Sequence, residues 1–191
     1  MKPNSSCALI FGSCTGKTAY LAERIMESFR PEIDLMLIDV STIEATDIPE
    51  FSFAICGIPT WDEGELEYGW ADVYENLDDV VLNGTTIVMF GLGDQWNYGD
   101  TYQDAMGILY RKLMERGATG GIGFTSTDGH DFVESCAVEA DRFVGLALDE
   151  ENQEELSEQR IKEWCQQVKL ELETANLNTK SAPQRVRTEV D

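Results

Sequence analysis

The sequence predicts an α/β fold: a three-layer sandwich in which a five-stranded parallel sheet, in the strand order 2-1-3-4-5, carries helices on both faces. Along the 191 residues, short apolar runs alternate with stretches whose apolar residues recur at helical spacing, a pattern typical of parallel β-α units. The run Thr86-Ile87-Val88-Met89-Phe90 is almost continuously apolar, as expected of a strand buried on both faces. Ligands of such sheets bind outside the carboxyl ends of the strands, so the loops there form the candidate site.

Each predicted strand is a short apolar segment bounded by glycine, proline or polar residues. The first four are residues 7–11, 33–40, 53–58 and 86–90, and a fifth is split into 122–124 and 143–148 by the polar loop 125–141. Four helices are predicted from apolar residues at 3.6-residue spacing, around residues 21–29, 70–77, 105–114 and 161–172. We expect one domain over residues 1–175 and a polar, flexible tail over residues 176–191.

The charge of the chain excludes several function classes. Asp and Glu number 36 against 14 Lys and Arg, a formal charge of −22. Such a protein repels nucleic acids and anionic membrane surfaces and favours partners with basic docking surfaces. No apolar run approaches the roughly 18 residues of a spanning helix, so no membrane insertion is expected. The five cysteines are scattered without a C-x-x-C pair, which predicts a reducing, cytoplasmic setting and no metal site.

The loop after the first strand has the composition of a phosphate cradle. Residues 12–18 read Gly-Ser-Cys-Thr-Gly-Lys-Thr between a buried strand and a helix. Backbone N–H groups at such a helix start point at one spot, and the helix dipole adds partial positive charge. The hydroxyl groups of Ser13, Thr15 and Thr18 add donors. The loop therefore predicts a phosphorylated ligand.

Three other interpretations of this loop stay open at this point. A nucleotide-binding P-loop needs a glycine where Phe11 stands and an acidic partner for Mg²⁺. A cysteine nucleophile at Cys14 needs a histidine, and His130 is the only one in the chain. A glycine-rich strand-to-helix turn can also be a tight turn without a ligand.

The loops after the third and fourth strands each place aromatic residues among glycines and acids. The first contains Trp61, and the second contains Trp96 and Tyr98. One interpretation is that both are surface loops whose aromatic side chains pack against the core and bind no ligand. Two aromatics that flank a cleft can instead stack on a flat ring, each pair contributing roughly 0.5–1.5 kcal/mol beyond area burial. Together with the cradle they predict a ring that carries a phosphorylated chain.

These segments resemble those of the long-chain flavodoxins, electron carriers that bind FMN and are a known example of the 2-1-3-4-5 order. The resemblance covers about residues 5–173. It rests on the phosphate loop, on Gly57-Ile58-Pro59-Thr60-Trp61, on Phe90-Gly91-Leu92-Gly93-Asp94-Gln95, on Ser126-Thr127-Asp128-Gly129 and on the segment 143–150. The split fifth strand is the mark of the long-chain type, and the inserted loop is associated with partner binding.

The resemblance implies a role for each matching residue. Trp61 would stack on the inner face of the flavin and Tyr98 on the outer face, with Trp96 as the rival. Asp94 would meet the pyrimidine edge, and Thr60 the ribityl chain with Asp149 near it. The full set of expected cofactor-binding residues is Ser13, Cys14, Thr15, Gly16, Lys17, Thr18, Pro59, Thr60, Trp61, Asp62, Glu63, Gly64, Leu92, Gly93, Asp94, Tyr98, Gln103 and Asp149.

Two positions depart from the family pattern. Asp62 and Glu63 follow Trp61 where many relatives carry neutral side chains, and His130 stands where a tyrosine is common. The two acidic residues are expected to lower the potential of the flavin. His130 suggests either a pH-sensing group or a polar surface substitution.

The function implied by the resemblance is that of a monomeric, low-potential one-electron carrier, not an enzyme. It would use the semiquinone/hydroquinone couple of non-covalently bound FMN. By family analogy, the candidate partners are an NADP-linked flavoprotein reductase, with photosystem I, nitrogenase reductase or radical-enzyme activation systems as candidate acceptors, and the sequence does not name the donor or the acceptor. The alternatives are a phosphate-loop nucleotide-binding protein and an acidic interaction domain that has lost its cofactor.

Overall fold

The computed structural model describes residues 6–181, and in that range it contains nine strands, four α-helices and four short 3-10 helices. The strands are β1 (Ser6–Phe11), β2 (Met36–Asp39), β3 (Phe51–Trp61), β4 (Glu65–Leu66), β5 (Thr86–Leu92), β6 (Thr125–Ser126), β7 (Val138–Glu139), β8 (Arg142–Phe143) and β9 (Gly145–Leu148). The helices are α1 (Lys17–Phe29), α2 (Tyr68–Glu75), α3 (Asp104–Glu115) and α4 (Glu154–Ser181).

The main sheet has the predicted order. Its strands run β2-β1-β3-β5-β9, and all four neighbouring pairs are parallel. In order of appearance in the chain this is 2-1-3-4-5, so the α/β fold class is confirmed. All four parallel pairs bring the carboxyl ends of their strands to one edge of the sheet, where the predicted ligand loops begin.

Two apolar cores lie on opposite faces of the sheet. Leu21, Ile25 and Phe29 of α1 pack with Ile161 and Trp164 of α4 on one face. Trp70 of α2 and Leu109 of α3 belong to the core on the other face. The indole N–H of Trp70 donates to Gly57 O at 2.8 Å, and that of Trp164 donates to Gly123 O at 2.8 Å. These bonds satisfy the polar ends of two large buried rings, and they attach α2 to β3 and α4 to the segment that precedes β6.

The bounds of two strands differ most from the prediction. Strand β2 begins at Met36 rather than at residue 33, because Ile33 N–H donates to Phe29 O at 3.1 Å and closes a turn after α1. Strand β3 continues to Trp61 rather than ending at residue 58. Its last two residues, Thr60 and Trp61, gain an antiparallel partner in β4. This extension carries Trp61 past the body of the sheet.

The prediction of a strand over residues 122–124 is wrong. Gly121 and Gly123, at φ +83° and +74°, have left-handed backbone conformations that an extended strand does not allow. The edge of β5 is instead bridged at Thr119, whose N–H donates to Thr85 O at 2.9 Å and whose carbonyl accepts from Ile87 N–H at 2.8 Å. The partner of β5 at this edge is thus in two pieces, as predicted, but the first piece is Thr119 and not residues 122–124.

The insertion 125–141 is ordered as part of a second, small sheet. Strands β6, β8 and β7 pair antiparallel in that order. Helix α4 continues to Ser181, past the start of the predicted tail, and residues 182–191 lie outside the described part of the chain. Within residues 6–181, no helix combines the length and the apolar character needed to cross a membrane.

Candidate functional site

A cavity of about 290 Å³ opens at the carboxyl edge of the main sheet. Its walls come from the last residues of β3 and β5, the first turn of α1 and the loops that follow β1, β3, β5 and β9. Most of the predicted site residues meet there: Cys14, Thr15, Lys17, Thr18, Pro59, Thr60, Trp61, Asp62, Leu92, Gly93, Asp94 and Tyr98. The three loops singled out from the sequence therefore form one site.

The phosphate loop leaves the start of α1 open to the cavity. Gly16, the residue before the helix, has φ +88°, and no side chain caps the helix there. Ser13 Oγ accepts the Gly16 N–H at 3.1 Å, which curves the loop. Thr18 lies in the first turn with a buried side chain that lines the cavity. Because the first turn of a helix has N–H groups without helical acceptors, this end is suited to an anion.

An ion pair closes one side of the phosphate loop. Lys17 Nζ bonds Glu151 Oε1, and Glu150 also lines the cavity. The bond to Glu151 raises the pKa of Lys17 above its ordinary value. Burial raises the pKa of the neighbouring Glu150. An anion in this loop would thus be held by N–H and hydroxyl groups, with the one lysine already paired to a carboxylate.

Cys14 does not have the surroundings of a nucleophile. Its thiol donates to Glu67 Oε1 at 3.3 Å. Burial and this carboxylate raise the pKa of the thiol, whereas a reactive cysteine needs a lowered one. His130 is engaged elsewhere, at 3.0 Å from the hydroxyl of Tyr102. The cysteine-nucleophile interpretation therefore has neither an activated thiol nor a base.

Two aromatic residues line the same cavity. Trp61, at the end of β3, is half-buried, and within residues 6–181 its buried Nε1 has no hydrogen-bond partner. Tyr98 is 51% exposed and lines the cavity, whereas Trp96 is 68% exposed and does not. Of the two rivals for the outer aromatic, Tyr98 is the one that the fold brings to the cavity.

The turn after Trp61 is a tight connection between β3 and β4. Gly64 N–H donates to Trp61 O at 3.1 Å, and Gly64 has φ +101°. Asp62 has φ +44°, a left-handed conformation that Asp tolerates better than most residues. Both Asp62 and Glu63 are exposed, and Asp62 reaches the cavity.

The carboxylate of Asp94 accepts several hydrogen bonds that hold the loop after β5 together. It accepts N–H groups from Trp96 and Asn97 at 3.2 and 2.9 Å and side-chain amides from Asn97 and Asn152 at 2.6 and 2.9 Å. Burial raises the pKa of Asp94, but these bonds outweigh it and the net pKa is lowered. The loop thus presents a fixed, charged carboxylate at the cavity wall.

Six predicted residues do not line the cavity: Ser13, Gly16, Glu63, Gly64, Gln103 and Asp149. Gln103 is fully buried, and its Nε2 donates to Leu148 O at 3.0 Å. Asp149 is also fully buried and accepts the Gln95 N–H at 3.1 Å. Both side chains connect the loop after β5 to β9 and its end.

Sequence reasoning missed four residues that line the cavity: Thr101, Tyr102, Glu150 and Glu151. Glu150 and Glu151 follow β9 at the carboxyl edge, so the strand-end rule would have found them. Acidic residues beside a phosphate loop did not suggest a binding site. Thr101 and Tyr102 lie in a turn before α3 that no sequence signal marks as part of a site.

A sequence model of the flavodoxin family matches residues 9–164. The chain belongs to the flavodoxin family. It is 47% identical to the flavodoxin of Nostoc sp. strain PCC 7120 over 163 residues, which cover 85% of this chain and 95% of that protein. It is 40% identical to flavodoxin 2 of Escherichia coli strain K12 over 162 residues, 84% of this chain and 92% of the other.

Solved flavodoxin structures share the fold. The flavodoxin of Fusobacterium nucleatum bound to flavin mononucleotide matches with a TM-score of 0.81 and 30% identity, covering 87% of this chain and 98% of that one. A mutant of that flavodoxin, also bound to flavin mononucleotide, gives a TM-score of 0.81 at 31% identity, with 87% and 96% covered. These relatives support the electron-carrier interpretation, and none supports the nucleotide-binding alternative. Flavodoxins act with redox partner proteins.

Proposed function

We propose that this flavodoxin binds FMN non-covalently in the cavity at the carboxyl edge of the sheet and carries single low-potential electrons between redox proteins. The observation that carries the proposal is the position of two features in one cavity. The uncapped, hydroxyl-rich start of α1 lines this cavity, and so do the aromatic side chains of Trp61 and Tyr98. A phosphorylated chain with a flat ring has the matching shape and charge.

The cavity fits such a group in two further respects. Its volume of about 290 Å³ is close to the lower end of the range for ligand pockets, roughly 300–1,000 Å³. The buried Nε1 of Trp61 lacks an acceptor among residues 6–181. An unpaired buried donor costs about 1–3 kcal/mol, and a ligand that carries acceptor atoms can remove this cost.

We assign the phosphate to Ser13, Cys14 (through its N–H), Thr15, Gly16, Lys17 and Thr18. The ring lies between Trp61 and Tyr98, its polar edge meets Asp94 and the nearby N–H groups, and Thr60 faces the ribityl chain. When bound, FMN supplies reversible one-electron chemistry. The chain binds and orients it and sets its potentials, since a shift in potential is a difference in binding free energy between redox states.

We propose that electrons enter and leave the bound ring on the side covered by Tyr98. A ring behind a side chain that is 51% exposed lies near the protein surface, so a partner can approach it. The net charge of −22 favours partners with basic docking surfaces and steers their encounter. We propose that the protein acts as a monomer in the cytoplasm, where Cys14 and Cys136 persist as exposed thiols.

The absorption spectrum of the purified protein tests the proposal. We expect flavin bands in the oxidised protein, and one equivalent of FMN bound when the colourless form is titrated under fluorescence detection. A correctly folded chain that is purified without colour and does not quench added FMN would refute it. That outcome would leave the interaction domain without a cofactor as the remaining interpretation.

A further inference from the structure

A short loop after β9 connects the two ends of the cavity. We propose that Asn152 in this loop is a positioning residue, which couples the phosphate end of the cavity to the ring end. The inference rests on the proposed function, because it assigns a phosphate to one end and a ring to the other. Asn152 itself does not line the cavity.

Asn152 joins two carboxylates through one amide. Its Nδ2 donates to Asp94 Oδ1 at 2.9 Å and lies 2.9 and 3.1 Å from Oδ2 and Oδ1 of Asp149. Ionised carboxylates only accept hydrogen bonds, so the NH₂ group and not the amide oxygen must face them. Asp94 belongs to the ring end of the cavity and Asp149 to the loop after β9. The Asn152 amide is thus a direct link between the two loops.

Asp149 anchors this link from inside the protein. Its carboxylate is fully buried and also accepts the N–H groups of Gln95 at 3.1 Å, Glu151 at 3.0 Å and Asn152 at 3.0 Å. Gln95 follows Asp94 in the ring-end loop, and Glu151 lies in the loop after β9. A buried carboxylate held by donors from both loops leaves neither free to move alone.

The link continues to the phosphate loop through Glu151. Its side chain bonds Lys17 Nζ, while its N–H is held by Asp149. Both Lys17 and Glu151 line the cavity. A phosphate in the loop attracts Lys17 and repels Glu151. Because Glu151 is tied to Asp149 and Asn152, this change is passed to Asp94 and Gln95 at the ring end.

A control for Asn152 lies in the ring-end loop. Asn97 also donates its Nδ2 to Asp94, at 2.6 Å, but it is three residues away in the same loop and exposed. The substitutions Asn152→Asp and Asn97→Asp change charge and shape equally and remove a donor to the same carboxylate. Only the first removes a bond between loops. Asn152→Ala removes the donor without adding a charge and serves as a second variant.

The test is a titration of the full-length, flavin-free protein with inorganic phosphate, followed by amide NMR shifts. In the parent protein we expect shifts at residues 13–18, 149–152 and 94–97. In Asn152→Asp and Asn152→Ala, the shifts at 13–18 should persist, while those at 94–97 fall by half or more. Asn97→Asp should retain both sets. Persistence at 13–18 shows that each variant still folds and binds the anion.

Two results would overturn the inference and leave the proposed function intact: shifts at 13–18 without any at 94–97 in the parent protein, or shifts at 94–97 as large in both Asn152 variants as in the parent. No shift at 13–18 would overturn the phosphate site itself.

For FMN, we expect the Kd to rise about tenfold in Asn152→Asp, since hydrogen bonds to charged groups are lost. Asn97→Asp should raise the Kd by less than about threefold, and equal losses would contradict the assignment.

Discussion

Neutralising the two carboxylates that follow Trp61 should raise the lower of the two midpoint potentials of bound FMN. The variant is Asp62→Asn with Glu63→Gln. Asp62 lines the cavity and Glu63 is its exposed neighbour in the same turn. The second electron leaves a negative charge in the cavity, and nearby carboxylates disfavour that charge. Removing them makes the second reduction easier.

The size of the effect follows from Coulomb's law. At a separation of about 8 Å, one unit charge contributes about 2 kcal/mol at an effective dielectric of about 20 and about 0.5 kcal/mol in water. Since about 59 mV is a factor of ten in affinity for one electron, these energies correspond to roughly 90 and 20 mV. Both side chains are exposed, so solvent screening places each near the lower figure. We expect the double variant to raise the potential by about 40 mV.

Spectroelectrochemistry of the FMN-loaded protein measures this shift. The control is Asp72→Asn with Glu75→Gln, which removes the same charge from positions on α2 that do not line the cavity. We expect a smaller shift in the control, because its carboxylates are not at the cavity. An unchanged or lower potential in the first variant, or equal shifts in both, would refute the assignment to Asp62 and Glu63.

Three further perturbations test other parts of the site. Trp61→Ala should weaken FMN binding about tenfold, because a stacking contribution of about 1 kcal/mol and contact area are lost. Substitution of the exposed Trp96 by alanine should change FMN binding little. Fluorescence titration measures both affinities, and equal effects would reject Trp61 as the stacking partner. Burial and the nearby Arg160 lower the pKa of His130 from 6.5 to about 4; the unfolded state therefore binds more protons between these values, and the free energy of unfolding should decrease as pH falls through this window. Urea unfolding should show that His130→Gln removes part of this decrease, and identical pH profiles would contradict it. Rates of electron transfer to a basic partner should fall steeply as ionic strength rises, and a flat stopped-flow profile would exclude electrostatic steering.

The fold was predictable because its strands are buried on both faces and bounded by clear turns. Residues 86–90, for example, could hardly be anything other than a central strand. The prediction failed at residues 122–124, where an apolar pattern coincides with a backbone that cannot extend. The glycines at 121 and 123 were the available signal, but a glycine is compatible with either sign of φ, so its presence alone does not exclude a strand. Gly123 lies directly against Trp164 and Val88, with no space for a side chain.

The site was predictable where position alone decides a role. Trp61 ends one strand and Tyr98 follows another at the same edge of the sheet, so their meeting at the cavity follows from the topology. The sequence does not distinguish a residue at the cavity wall from one behind it, as Gln103 and Asp149 illustrate. Both are polar residues near the site, but their burial and partners depend on how the loops fold over each other. The spacing of residues along the sequence does not predict side-chain contacts of this kind.

The excess of negative charge and the proposed binding of a phosphate dianion are compatible for a physical reason. Lys17 is already paired with Glu151, and Glu150 lies beside them in the cavity wall, so formal positive charge contributes little to the cradle. The N–H groups at the start of α1 and the hydroxyls of the loop supply the positive end of fixed dipoles, which act over short distances and hardly change the distant field. The anion is therefore bound locally while the surface stays acidic. A partner with the proposed basic docking surface would then experience the attraction of the whole acidic surface, although the proposed ligand is itself negative.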